Sequence, residues 1–149
     1  MSVKSLFDPE KMSLTEFKII KGQVDTPEEF SIEKVEGHHI ENSLLLSFSL
    51  DEKLARADFN IEVKTDSKGF NPNEASGNFN FVFIYQIENL EELAKSNSKN
   101  NLIDVHPDLA VALASITYST SRGVLLTRFQ GTALQTFVLP VISINKLLQ

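Results

Sequence analysis

The clearest alternation in the chain lies over residues 42–63. In "NSLLLSFSL", Leu44, Leu46, Phe48 and Leu50 fall on one side, with Ser43, Ser47 and Ser49 opposite. In "ARADFNIEV", Ala55, Ala57, Phe59, Ile61 and Val63 alternate with Arg56, Asp58, Asn60 and Glu62. A period of two with one apolar side predicts strands that bury one face and wet the other. The connector "DEKL" between them is short enough to predict an antiparallel hairpin. "NFNFVFIYQI" then lines up Phe79, Phe81, Phe83, Tyr85 and Ile87 on one face, with Val82 and Ile84 on the other. This strand should be buried on both sides at its centre, and its aromatic face is read as core. "LTEFKIIKGQV", residues 14–24, predicts a further strand through Phe17, Ile19 and Val24, with Ile20 out of phase. "DTPEEF" and "EGHH" are expected as turns around a short extended piece, and the Gly-, Asn- and Ser-rich segment before "NFNF" as a loop.

After residue 88 the period changes. "NLEELAKSN" predicts a short helix with Asn89 near its cap, followed by the polar break "SNSKNN". "HPDLAVALASITYSTSRG", residues 106–123, predicts a longer helix. Pro107 suits its first turn, Asp108 its N-terminal dipole, and Leu109, Leu113 and Ile116 recur at helical spacing. "GTALQTFVLPVIS" reads as a loop with an extended apolar part, and "INKLLQ" as a last, half-formed helix. Four antiparallel strands followed by helices make an α+β class, and 149 residues make one domain, 1–149.

The helix carries an oddity. Residues 114–126, "ASITYSTSRGVLL", hold six hydroxyl side chains between apolar flanks. Ser and Thr compete for backbone hydrogen bonds, so such a helix gains little from full exposure. A polar seam, where a second element comes close over small residues, is the better reading than a loop.

Composition narrows the function. Net charge is −6, from 20 acidic and 14 basic side chains, which disfavours nucleic acid and favours basic partners. The absence of cysteine removes disulfides and thiolate chemistry, and fits a cytoplasmic location. No apolar h-region opens the chain, and no apolar run suggests membrane insertion. His38 and His39 are adjacent, near Glu36 and Glu41, but neighbours on an extended chain point apart, and a solvated turn is preferred to a metal site. There is no serine-nucleophile elbow, no phosphate loop and no paired-carboxylate signature, so no cofactor and no enzymatic activity is expected.

On particular residues the chain resembles SecB, the bacterial protein-export chaperone family. Ala112, Ile116, Thr117, Ser121, Arg122 and Gly123 stand at that family's spacing, and "LPVISINKLL" is similar to the extended piece and terminal helix that follow it. The strands match that family's sheet in order and length. The pattern departs at Leu113, where the family has Arg, at the extra segment 128–137, and at the short terminal helix. The resemblance implies a homotetramer, a dimer of dimers, with Ala112, Ser115, Ile116, Ser119 and Arg122 at the subunit seam. It implies capture of unfolded or precursor polypeptides between two apolar walls, Phe30, Ile32 and Val35 on one side and Phe137, Leu139, Ile144 and Leu147 on the other. The segment around Phe129 is an alternative client site. The translocase ATPase is one implied partner, and an antitoxin client is equally open. The rival expectation is a hydrophobic-ligand-binding α+β domain whose aromatic strand lines a closed pocket. Arg122 is expected near the helix C-terminus, bonding free carbonyls, with Gly123 ending the helix.

Overall fold

A computed structural model describes residues 6–148. Its main sheet has four antiparallel strands in the order β1-β4-β3-β2: β1 Met12–Asp25, β2 Val35–Ser49, β3 Leu54–Ser67 and β4 Ser76–Ile87. The alternation sets the register. Ala55 pairs with Tyr85, Ala57 with Phe83, Phe59 with Phe81 and Ile61 with Phe79. The two alanines of β3 thus face Tyr85 and Phe83, which makes room for those rings on the buried face. Val82 is buried on the opposite face, so β4 is covered on both sides at its centre, as its sequence predicts.

β1 pairs with β4, not with β2, so residues 26–34 must cross one end of the sheet. A 3-10 turn, Ile32–Lys34, closes that crossover. "EGHH" is not the expected turn. β2 begins at Val35 and runs through it, with one irregularity between Val35 and Gly37. Its pairing with β3 overrides a local preference that Gly and His express only weakly.

The expected helix over residues 89–97 shrinks to one turn, α1 Leu90–Leu93, with Leu90 and Leu93 both buried. A small hairpin follows, β5 Ala94–Asn97 and β6 Leu102–Val105, in place of the polar break. Its turn is built by asparagine side chains. Asn97 Oδ1 accepts from Lys99 N at 3.0 Å and Asn100 Oδ1 accepts from Leu102 N at 3.1 Å, while Asn101 adopts φ +56°.

The long helix, α2 Pro107–Arg128, starts as expected, with His106 Nδ1 accepting from Asp108 N at 3.1 Å. It does not stop at Gly123. Leu109, Leu113, Thr117, Ser121 and Leu125 recur every four residues as one buried stripe, and Leu125 extends that stripe past the glycine. By length and composition alone α2 would span a bilayer, which corrects the expectation that no run comes near this. In the fold its stripe packs on the chain's own sheet. Residues 131–143 form turns and an extended piece, as expected, and several of their apolar side chains enter the core. Phe129, Leu134, Phe137 and Leu139 are buried, and Gly131 makes the turn among them at φ +74°. The expected terminal helix is a 3-10 turn, Ile144–Lys146; Gln149 lies outside the described residues.

The aromatic rings form one layer that runs from the exposed Phe17 on β1 into the core. Phe17 meets Phe83 and Phe81 with centroids 5.0 and 5.6 Å apart, and Phe81 meets Phe79 at 5.8 Å. The rings continue through Phe129 at 5.4 Å and Phe137 at 6.0 Å to His38 at 5.2 Å. Gly77 allows this closure, because a Cβ there would lie 2.5 Å from Leu134 Cδ1. Leu134 is fully buried, so it can yield only by displacing its core neighbours. Gly77→Ala should therefore cost about 1–3 kcal/mol in urea unfolding. Adding Leu134→Ala should make the glycine change nearly free; strict additivity would show that this contact is not the cause.

The end of the aromatic path carries a titrating group. His38 Nε2 is buried and has no hydrogen-bond partner among the described residues. Burial holds the His38 imidazole below its ordinary value. The neighbouring carboxylate Asp66 instead faces the exposed His39, at 3.7 Å. The folded chain thus disfavours the imidazolium and the unfolded chain takes the extra proton. Stability is full above the ordinary imidazole value and is lost as pH falls from there through the lowered folded value. Between about pH 7.5 and about pH 5.5, the wild type should lose more stability than His38→Phe. Equal losses in the two proteins would place the titrating group elsewhere.

Candidate apolar binding surfaces

β2 is an edge strand, and its core-facing side chains are only partly covered. Leu44, Leu46 and Phe48 pack against the core but remain half-buried. With Leu102, Ile103 and Val105 of β6, Ala110 of α2, and Leu147 and Leu148, they line an open groove of ≈ 550 Å³. Leu45 and Leu102 stand on its lips, 65% and 61% exposed. A contiguous apolar groove with exposed leucines is the kind of surface that marks a binding site. A second groove, on the β1 side, runs between Phe17 and Ile19 and the α2 residues Thr120, Gly123, Val124 and Thr127. Gly123 leaves open space there, with no atom within 4 Å of where a Cβ would stand.

Of the residues expected to bind clients, the two sets differ. Phe30 and Ile32 on the crossover and Val35 at the start of β2 are half-buried and stand outside the main core cluster. The β3–β4 loop is tied beside them by Lys68 N donating to Lys34 O at 2.9 Å, and it holds out Phe70, 93% exposed. Phe137 and Leu139 are core residues in the folded chain, Ile144 packs half-buried against them, and Leu147 alone of that wall borders the groove. Phe137 meets His38, which lies three positions after Val35 on β2. Phe129, the expected alternative, is 1% exposed and so fills the core. The aromatic face of β4 is filled by α2 and residues 129–139. Leu44, Leu45, Leu46 and Phe48 were legible only as strand residues, because edge position is a property of topology.

The hydroxyl-rich stretch divides between the two sides of α2. Thr117, Tyr118 and Ser121 point inward. Tyr85 Oη and Thr117 Oγ1 share a buried hydrogen bond of 2.8 Å, and Tyr118 Oη donates to Pro140 O. Burial raises both phenols above their ordinary value. Ala112 and Ser115 are half-buried, and Ile116 and Ser119 are exposed beside Val111 and Leu126. This outward face has no charged side chain between Asp108 and Arg122. Arg122 sits one and a half turns before the helix end, which corrects its expected place. It still serves carbonyls: Nε donates to Leu139 O at 2.8 Å and Nη2 to Pro140 O at 3.3 Å, with the guanidinium 5.4 Å over the Tyr118 ring. His38 and His39 point to opposite faces of β2, and no metal-holding cluster occurs among the described residues.

No family model and no curated protein matches the chain. Among solved structures it is similar to the Mycobacterium tuberculosis Rv1957 SecB-like chaperone in complex with a ChAD peptide from the Rv1956 HigA1 antitoxin. The TM-score is 0.63 at 9% identity, over 91% of this chain and 93% of that one. The antiparallel sheet, the crossover and the long helix laid across one face are thus a SecB-like fold.

Proposed function

We propose that the protein is a chaperone that holds non-native polypeptides on its surface grooves. The carrying observation is the open apolar groove beside β2, on a SecB-like fold. A chain that exposes Leu45 and Leu102 loses the burial of two leucines, a loss that binding would recover. Apolar burial is non-directional, which suits a range of unfolded or precursor clients. An antitoxin is one client class that the neighbour's bound peptide suggests. Hand-over of precursors to the translocase ATPase is the other, and the net charge of −6 suits basic clients in either case. The mechanism needs no cofactor and no bond chemistry, and the cysteine-free sequence suits work in the cytoplasm.

Assembly belongs to the same reading. The outward face of α2, with Ala112, Ser115, Ile116 and Ser119 and no charge between Asp108 and Arg122, is built for contact with a second subunit, not for water. We place the seam of a homotetramer there. Ile116→Glu should convert a particle of about four chains into smaller species by light scattering. A wild-type monomer at micromolar concentration would remove the tetramer from the proposal.

For client capture, the wild type should suppress aggregation of a refolding enzyme. Leu45→Ser with Leu102→Ser should weaken this while the assembly stays intact, with each leucine worth about 1.5–3 kcal/mol if it is buried on binding. Phe30→Ser with Ile32→Ser tests the crossover wall in the same assay. Unchanged suppression by the first pair and loss with the second would move the client site to the crossover.

A further inference from the structure

Phe70 stands almost wholly in water, 93% exposed, on a loop that is firmly tied. At the loop's base Glu74 Oε2 accepts from Ser67 N at 2.8 Å and its Oε1 from Thr65 Oγ1 at 3.2 Å, while Thr65 Oγ1 accepts from Ala75 N at 2.9 Å. On the crossover side, Lys68 N donates to Lys34 O at 2.9 Å. Left-handed backbone flanks the ring, with φ +109° at Gly69 and +49° at Asn71. Positive φ at a non-glycine residue costs free energy and recurs where a loop serves a ligand. A phenyl ring on so fixed a support loses little freedom when a partner covers it.

The ring borders a hollow of ≈ 260 Å³ between the crossover and the β3–β4 loop. Ser31 and Lys34 line it from one side, and Lys68, Asn71 and Asn73 from the other. Glu29 is the one carboxylate on its wall. The hollow thus gathers two ammonium groups on a chain whose net charge is −6. Lys68 Nζ reaches toward Glu36 Oε1, at 4.0 Å, while the Lys34 ammonium has no ion pair or hydrogen bond among the described residues. Hydroxyl, amide and ammonium donors around one hollow suit an anion with several acceptor lone pairs, and a carboxylate fits that set. Phe70 at the lip adds a place for an apolar side chain beside it.

We infer that this hollow is a second binding site, which takes a carboxylate carried next to an apolar side chain, as at the end of a polypeptide or on an acidic residue within one. Lys34 supplies the charge, Asn71 and Asn73 supply hydrogen bonds, and Phe70 covers the neighbouring side chain. The site stands apart from the two apolar grooves and does not depend on the chaperone reading. It selects acidic segments, the reverse of what the charge of the whole chain favours.

Three fluorescent peptides test the site on the full-length protein. All share a Gly/Ser stem and a Phe-Leu pair. The first ends on that pair with a free carboxylate, the second is its amide, and the third is the amide with Glu placed before the pair. By fluorescence anisotropy the amide without Glu should bind about tenfold more weakly, or worse, than at least one of the others. Tight binding of the first alone would support the inference with chain ends as ligands, and of the third alone with internal acidic residues. Lys34→Gln and Phe70→Ser should each weaken the tighter carboxylate peptide about tenfold, and Glu29→Gln should strengthen it. All three positions are exposed, so the urea midpoint should stay at the wild-type value. Equal binding of all three peptides, no binding at millimolar concentration, or wild-type affinity in both weakening variants would overturn the inference. Weaker binding by Glu29→Gln would overturn it as well, since the hollow would then serve a cation.

Discussion

The fold depends on removing the aromatic face of β4 from water. Phe79, Phe81, Phe83 and Tyr85 are all buried, and each is worth about 1.5–3 kcal/mol only when covered. An isolated four-stranded sheet cannot cover its own face, so the chain after β4 is organised around that need. α2 lies across the layer, with Tyr118 edge-on to Phe59 at 5.9 Å. The segment 129–139 then closes the remaining end with Phe129, Leu134 and Phe137. The Tyr85–Thr117 hydrogen bond satisfies the one phenol that this burial strands beneath the helix.

One helix can cover only part of a sheet whose strands run to 15 residues. The strands it leaves half covered are the edges, and both apolar grooves lie there. The grooves are thus what remains when a small domain closes its centre first. In the proposed chaperone that incomplete closure is the working surface. The same economy applies to α2, which has one face in the core and an outward face too apolar to gain from water. Arg122 links the two by holding residues 139 and 140 against the inner side of the helix.

Several local expectations failed for a common reason. "EGHH" became strand because β3 offered it a partner, and "AKSN" became strand because β6 did. Gly123 stayed helical because Leu125 still had a core to reach, and the turn fell to Gly131. In each case a weak local preference met a tertiary contact worth more. Phe137 and Leu139 moved from groove to core by the same logic, since an extended apolar piece next to an uncovered aromatic layer is drawn onto it.

By itself the sequence determined what depends on periodicity: β1, β3, β4 and the second half of β2, the buried faces of β3 and β4, the start of α2, and the aromatic core. It also carried the hydroxyl-rich helix and the uncharged run at residues 42–50, though not their meaning. The tertiary structure decided everything that depends on which element lies beside which. It made β1 and β2 the edges, sent Thr117 inward and Ser119 outward, and turned an apolar strand into the wall of a groove. Periodicity is a property of neighbours a few residues apart and can be read along the chain. Exposure of an edge depends on the absence of a partner, and that absence exists only once every other strand has been placed.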